Sequence, residues 1–497
     1  MSVLTAKYIE PFMRKDKLCM LTVHPGSITE VDLSRVYDPK EYTNKEREAI
    51  EMRMTYRWPL PRDLFQEGGT PGMLRSELRT LKEITASIIR YLRRYVWLRK
   101  DSTYELLAMW IISTYFRDRF RFSPIIIADG ITETGKSTLA KCLELVTYHA
   151  ESWISCSAAA IAREIEDYDA TIIMDEAIDA LTSERGGEIF TMIRSCFERG
   201  QRWIRADPRG RTNYVYNVYS SMALLIRGVG LPEDVYNRGI RINMTPAPAH
   251  IEFGDLDNWH DDGYHDRSNP DDIRRDLYLL KLWSAAYPDD QCSVNFEKEI
   301  ALTRKYLTTK LEDGRWYYAN LYDFPPESPA IRGRDRNIAS TLLSIAQVTG
   351  CERGIIQEIL DNKESNREVY MDTPEAMAFV SLMELVEENF NRMAGLNPLL
   401  NYSTFAAAVA EISTTDIANR FNLILQEQGN ASRDPVATKS VTAKINALGF
   451  KYERGEQNKS YMIPSPDFAS LFFNNVKKYA RSKTKIFRDI IKTEKIS

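Results

Sequence analysis

Six cysteines are scattered through 497 residues, and no two of them form a C-x-x-C pair. That spacing excludes a zinc ribbon and a disulfide-stapled secreted fold, and it predicts reduced thiols in the cytoplasm. Histidine is scarce too, at five residues. Only His260 and His265, among the aspartates of "EFGDLDNWHDDGYHDRSNPDD", have a spacing that suggests a metal, and the same loop reads equally as a solvated hinge or insertion. No run of about 18 apolar residues is present, which argues against a membrane span, and "MSVLTAKYIEPFMRKDKL" lacks the apolar stretch of a secretion signal. Net charge is also small, at -4, so nucleic acid is not attracted to the chain as a whole and any contact must come from a local patch. One such patch is the C-terminal stretch from 431 to 497, with 14 Lys and Arg against 6 Asp and Glu.

What remains is ordinary globular composition, 43% apolar and 27% charged, in a length that suggests about three domains. The pattern predicts a mainly helical region over 1–99, in which "LRSELRTLKEITASIIRYLRRYVWL" is an amphipathic helix for packing or oligomerisation. An α/β core follows over 100–255, where short apolar strands alternate with helices. A helical segment over 256–400, a compact unit over 401–480 and a basic tail over 481–497 complete the chain.

The chemistry starts at "ADGITETGKSTLAKCLEL". From Gly130 to Ser137 it matches G-x-x-x-x-G-K-[ST], after an apolar strand and at the start of a helix, the context that the motif needs. Gly130, Thr132, Glu133, Thr134, Gly135 and Thr138 supply a loop whose backbone N–H groups can close on phosphates at the positive end of a helix. Lys136 would reach the β and γ phosphates of ATP, and the Ser137 hydroxyl would hold Mg²⁺. "TIIMDE", whose Asp175 comes 39 residues after Lys136, is a buried strand ending in two acids. Asp175 would hold the metal and Glu176 would polarise the attacking water.

Further on, "QRWIRADPRGRTNYVYNVYSSMALLI" reads as two alternating runs joined at "DPRG", a β-hairpin just before a buried strand. The adjacent "DE" resembles the AAA+ ATPases. A hairpin in this place resembles the branch that contains the minichromosome maintenance (MCM) and superfamily III helicases, where it projects into the pore of a ring. "GLPEDVYNRGIRINM" and "IRGRDRNIASTLLSIAQVTG" extend the likeness to MCM-like helicase ATPases of plasmids, viruses and genomic islands, over about residues 100 to 480. Residues 1–99 resemble nothing of this kind.

The resemblance implies an α/β fold with an AAA+ P-loop core, a pore hairpin, a helical lid and a C-terminal winged helix. It makes Arg209 and Arg211 at the hairpin tip candidates for gripping DNA phosphates. Arg238 becomes the candidate arginine finger that enters a neighbour's ATP site, with Arg241 the weaker choice. Arg334 becomes the candidate second sensor over the γ-phosphate, with Arg336 next and Arg274 or Arg275 as rivals. The first sensor is in doubt, since its position falls near Arg227.

At the C-terminus, "STTDIANRFNLILQ" and "RDPVATKSVTAKINALGF" read as two helices, the second capped by Asp434 with Pro435 in its first turn. Ala437, Val441, Ile445 and Leu448 form its inward stripe. Lys439, Thr442 and Asn446 face outward, and Lys439 and Lys444 are candidate DNA contacts. The sequence thus predicts an ATP-dependent helicase or translocase on single-stranded or forked DNA, a homo-oligomer such as a hexamer, in the replication of a mobile element. A separate primase or initiator would supply priming, because 1–99 shows no primase-like acidic cluster. Two other readings stay open: an ATP-switched DNA-binding regulator or assembly platform, and a defence ATPase that senses foreign nucleic acid.

Overall fold

The computed structural model describes residues 8–14, 17–32, 75–130, 133–154, 156–175, 186–206, 213–226, 231–261, 266–371, 374–394, 402–427, 436–454, 460–464, 471–472 and 475. They divide into two compact units, Met1–Lys363 and Glu364–Ser497. The division falls inside the segment 256–400 that was expected to hold a helical lid and a linker.

Residues 8–32 correct the expectation of a mainly helical N-terminal region. They form an antiparallel meander of β1 (Tyr8–Arg14), β2 (Lys17–His24) and β3 (Ser27–Asp32). The β2–β3 turn is Pro25-Gly26, where Gly26 takes φ 77, a left-handed value that suits glycine. The Gly26 N–H donates to Ala286 O at 2.7 Å, which ties the turn to the helical body.

The amphipathic stretch expected next becomes α1 (Leu81–Tyr95). It opens with a capping box in which Thr80 and Glu83 satisfy each other's backbone N–H. Its apolar face of Ile84, Ile88, Tyr91 and Leu92 is fully buried within the chain, so it packs in the core instead of remaining free for oligomerisation. α2 (Asp101–Tyr115) is buried almost all round. Each large apolar side chain so buried contributes about 1.5–3 kcal/mol. Together with α7 (Pro270–Ala286) and α10 (Gly333–Thr349), these helices share one apolar core with the sheet described next. The first part of the expected lid is therefore continuous with the α/β core.

The sheet is built from β4 (Ile125–Asp129), β5 (Ala150–Trp153), β6 (Thr171–Met174), β9 (Met222–Ile226) and β10 (Gly239–Asn243). All its pairings are parallel, and the strand order is β10-β4-β9-β6-β5. β4, β6 and β9 are buried at every position, as strands covered on both faces must be. The connections run through α3 (Lys136–Val146), α4 (Ala158–Tyr168), α5 (Gly186–Cys196) and the short α6 (Glu233–Tyr236). At the β10 edge, Asn362 of α11 (Glu352–Met371) accepts from Arg241 N at 2.7 Å and donates to Gly239 O at 3.2 Å. That side chain satisfies backbone groups that an edge strand would otherwise leave open.

The predicted hairpin is present as β7 (Arg202–Ala206) and β8 (Asn213–Asn217), antiparallel and outside the main sheet. α8 (Glu297–Thr308) and α9 (Tyr317–Leu321) complete the first unit.

The second unit holds α12 (Pro374–Ala394), α13 (Tyr402–Ala410), α14 (Thr414–Glu427), α15 (Thr438–Ala447) and a small hairpin of β11 (Tyr452–Arg454) and β12 (Ser460–Met462). Its core is aromatic, with the Phe379 ring 6.0 Å from Phe450 and Phe405 5.5 Å from Phe472. α15 starts at Thr438 behind an exposed Ala437 with no side-chain cap. That departs from the expected inward Ala437, while Asp434 and Pro435 lie outside the described residues. Val441 and Ile445 are buried as the stripe requires. No helix among the described residues is long and apolar enough to cross a membrane.

Candidate functional site

The strand-to-helix step predicted from Gly130 to Ser137 is where the fold turns from β4 into α3. Gly130 stands in a gap that no side chain could share, for an added Cβ would lie 2.7 Å from both Met244 O and Thr134 Oγ1. Gly135 takes φ 81 as the residue before α3, another left-handed position. Between them Glu133 also has positive φ, at 63, so the loop curls through two left-handed turns within three residues. Lys136, the first helical residue, reaches back over this curl and donates from Nζ to Gly130 O at 2.6 Å. Thr134 is buried, Ser137 is exposed and Thr138 is half-buried. Ile131 and Thr132 lie outside the described residues.

These features fit a triphosphate cradle: backbone free of side chains at Gly130, N–H groups gathered at a helix start, and an ammonium already over the loop. Asp175 follows the last residue of β6, and its N–H donates to Trp153 O at 3.0 Å. β9 lies between β6 and β4, which sets Asp175 roughly 10 Å across the sheet from the end of β4 at the usual strand spacing. Ser137, the second residue of α3, and Asp175 thus both follow the same end of the sheet, a placement that fits donors to one hydrated cation. Glu176 lies outside the described residues, as do Arg209, Arg211 and Arg227.

Arg238 is at the opposite end of the same strands. Its carbonyl accepts from Ile125 N, the first residue of β4, at 3.1 Å. The five residues of β4 separate it from the loop, a span of about 16 Å. Arg238 therefore cannot serve the phosphates of its own chain. It lines a cleft of about 500 Å³ together with Arg194 of α5, Arg334 in the first turn of α10, Glu198, Asp234 and Asn337. Asp234 organises the cleft, pairing with the Arg194 guanidinium through its carboxylate and accepting from Arg238 through its backbone oxygen. Burial, and next the neighbouring Arg334 charge, hold the Arg238 pKa below its ordinary value. The guanidinium stays charged all the same, so the cleft presents three cations against two acids.

Sequence patterns gave no sign that Arg334 would lie beside Arg238, nor that Arg194 would join them, since two come from helices 140 positions apart and Arg238 from the turn before β10. Three of the other candidate arginines pair with acids within the chain. Arg241 pairs with Asp129 at 2.6 Å, where the side chains are 19% and 9% exposed. Arg275 pairs with Glu77 and Arg274 lies 4.0 Å from Asp271. Arg336 is exposed on α10.

In the second unit Lys439 is exposed and Lys444 half-buried on α15. His265 lies outside the described residues, and among the described residues no three His, Cys, Asp or Glu side chains gather as a metal site.

No protein-family profile matches the sequence, and neither does any curated protein. Among solved structures, the chain is similar to one described as "The A form apo structure of NrS-1 C terminal region-CTR". The alignment covers 92% of this chain and 96% of that one at 11% identity, with a TM-score of 0.34, too loose a superposition to carry its fold or function over.

Proposed function

We propose that the chain is an ATP-hydrolysing nucleic-acid motor of the helicase type, working as a ring of copies such as a hexamer in the replication of a mobile element. The observation that carries this reading is the placement of Lys136 and Arg238 at opposite ends of β4. One chain then offers a phosphate cradle on one side and a cationic cleft on the other, so a complete hydrolytic site requires two chains. ATP supplies the bond to be broken, and Mg²⁺, when bound, neutralises charge on its phosphates.

The chain's own part is positional and electrostatic. The Gly130–Gly135 backbone orients the phosphates, Lys136 counters their charge, and Ser137 and Asp175 hold the metal. Glu176 orients water. Arg238 of the adjacent copy meets the charge that builds on the transferred phosphoryl group, a contribution of roughly 10³- to 10⁵-fold in other NTPases. Arg334, sharing that cleft, acts from the same side. The second unit reads as a winged helix, with Lys439 and Lys444 of α15 offered to DNA phosphates, and Arg209 and Arg211 of the hairpin tip do likewise.

The test is ATP turnover and strand displacement on a forked DNA. Turnover stimulated by DNA, with displacement that disappears in Glu176→Gln while ATP stays bound, supports a motor. Normal turnover with no displaced strand on any fork makes it an ATP switch instead.

A further inference from the structure

Trp203, Arg205, Tyr214 and Tyr216 share one face of the β7–β8 hairpin. The register sets Trp203 opposite Tyr216 and Arg205 opposite Tyr214. Residues directly opposite, or two apart on one strand, project to the same side of an antiparallel ladder. The rings form a continuous surface, with 5.7 Å between the Trp203 and Tyr216 centroids and 6.5 Å between those of Tyr214 and Tyr216. Tyr214 is 53% exposed, Arg205 is exposed, and Trp203 and Tyr216 are half-buried.

Ile204 and Val215 on the other face are exposed too, at 60% and 48%. Among the described residues, neither face of the hairpin is fully covered by the body of the chain. Its anchor is at the base, where the Asn217 N–H donates to Glu166 Oε2 of α4 at 2.7 Å. The two strands themselves carry Arg202 and Arg205 and no acid.

Three rings beside a guanidinium select for a particular kind of occupant. An apolar peptide would match the Ile204 and Val215 face better, and an acidic peptide would use the arginines but leave the rings uncovered. A single-stranded nucleic acid uses both, because every base has a π face to stack and every nucleotide a phosphate to pair. We propose that this face is a base-stacking platform for single-stranded nucleic acid, in which Trp203, Tyr214 and Tyr216 receive bases and Arg205 meets the backbone. It differs from a phosphate grip at the hairpin tip, and duplex, whose bases are already stacked, gains little from it. The proposal rests on the nucleic-acid-binding part of the reading above, and not on ATP hydrolysis.

The experiment is fluorescence anisotropy of the full chain with a labelled oligothymidylate and a labelled oligouridylate, beside ATP turnover without nucleic acid. Tyr214→Ala weakens binding about tenfold or more, leaves its salt dependence unchanged because no phosphate contact is lost, and spares basal turnover. Tyr214→Phe keeps a ring and binds as the unaltered chain does. Loss on both oligomers marks a platform for single strands in general, and loss on one identifies which of the two polymers, DNA or RNA, it accepts. The proposal is overturned if Tyr214→Ala binds both as before. It is overturned as well if that variant only shrinks the assembly in sedimentation, which makes the face a contact between copies. Should the unaltered chain turn over ATP yet bind neither oligomer, the platform fails while the nucleotide site stands; no turnover with Tyr214-dependent binding sinks the motor and leaves the platform.

Discussion

Arg241 and Asp129 meet diagonally across adjacent strands, Arg241 standing opposite Ile127 and Asp129 opposite Asn243, with their charged atoms 2.6 Å apart just before the loop that starts at Gly130. The pair joins the edge strand β10 to β4 beneath the candidate phosphate cradle.

Removing one member of a mostly buried pair strands the other charge. Arg241→Ala is therefore expected to destabilise the first unit by about 3 kcal/mol, read as a lowered unfolding midpoint in denaturant. Arg241→Met combined with Asp129→Asn should lose clearly less, since no unpaired charge is left. A single variant as stable as the unaltered chain would contradict the pairing.

Gly130 and Gly187 test the loop against an open position. Alanine at Gly130 forces a Cβ to within 2.7 Å of Met244 O, a backbone atom that cannot swing aside, whereas nothing lies within 4 Å of a Cβ at Gly187. Gly130→Ala should weaken binding of a fluorescent ATP analogue at least tenfold, about 1.4 kcal/mol, and Gly187→Ala should leave it unchanged. Equal affinity in both would remove the loop from nucleotide binding.

Much of this was legible before any coordinates. The apolar runs at Ile125 and Thr171, the glycine spacing and the Asp-Pro-Arg-Gly turn are local patterns, and the strands, the loop and the hairpin stem follow from them. Side-chain meetings across long separations are not local. The Arg241–Asp129 pair and the shared cleft of Arg194, Arg238 and Arg334 depend on how whole elements pack, which no period in the sequence encodes. "KLCMLTVHPGSITEVD", within residues 8–32, carries its own local strand signals, a Pro-Gly turn between β-forming residues, and the helical period that begins at Leu74 does not extend to it. At α15 the described helix starts at Thr438, and the expected start at Asp434 and Pro435 lies outside the described residues.

Thiol chemistry offers an independent check on the core. Burial pushes Cys142 and Cys196 up from an ordinary 9.0 to about 12, so neither is ionised to any useful extent at pH 8. A thiol-reactive disulfide reagent should leave both unlabelled in the native chain and label both once it is unfolded, as mapped by mass spectrometry. The linkage has a definite sign. Unfolded thiols ionise near 9 and folded ones near 12, so their contribution to stability is full below about pH 9 and falls as pH rises above it. Rapid native labelling of Cys142 would contradict its burial.

The most direct measurement mixes two inactive variants, Lys136→Ala and Arg238→Ala, across a range of ratios and follows ATP turnover. With Lys136 and Arg238 serving different chains, a mixed assembly contains some sites with both groups intact. The account predicts turnover that is near zero for each variant alone and rises to a maximum in the mixture. No recovery at any ratio, in a mixture shown to co-assemble, would contradict the shared site.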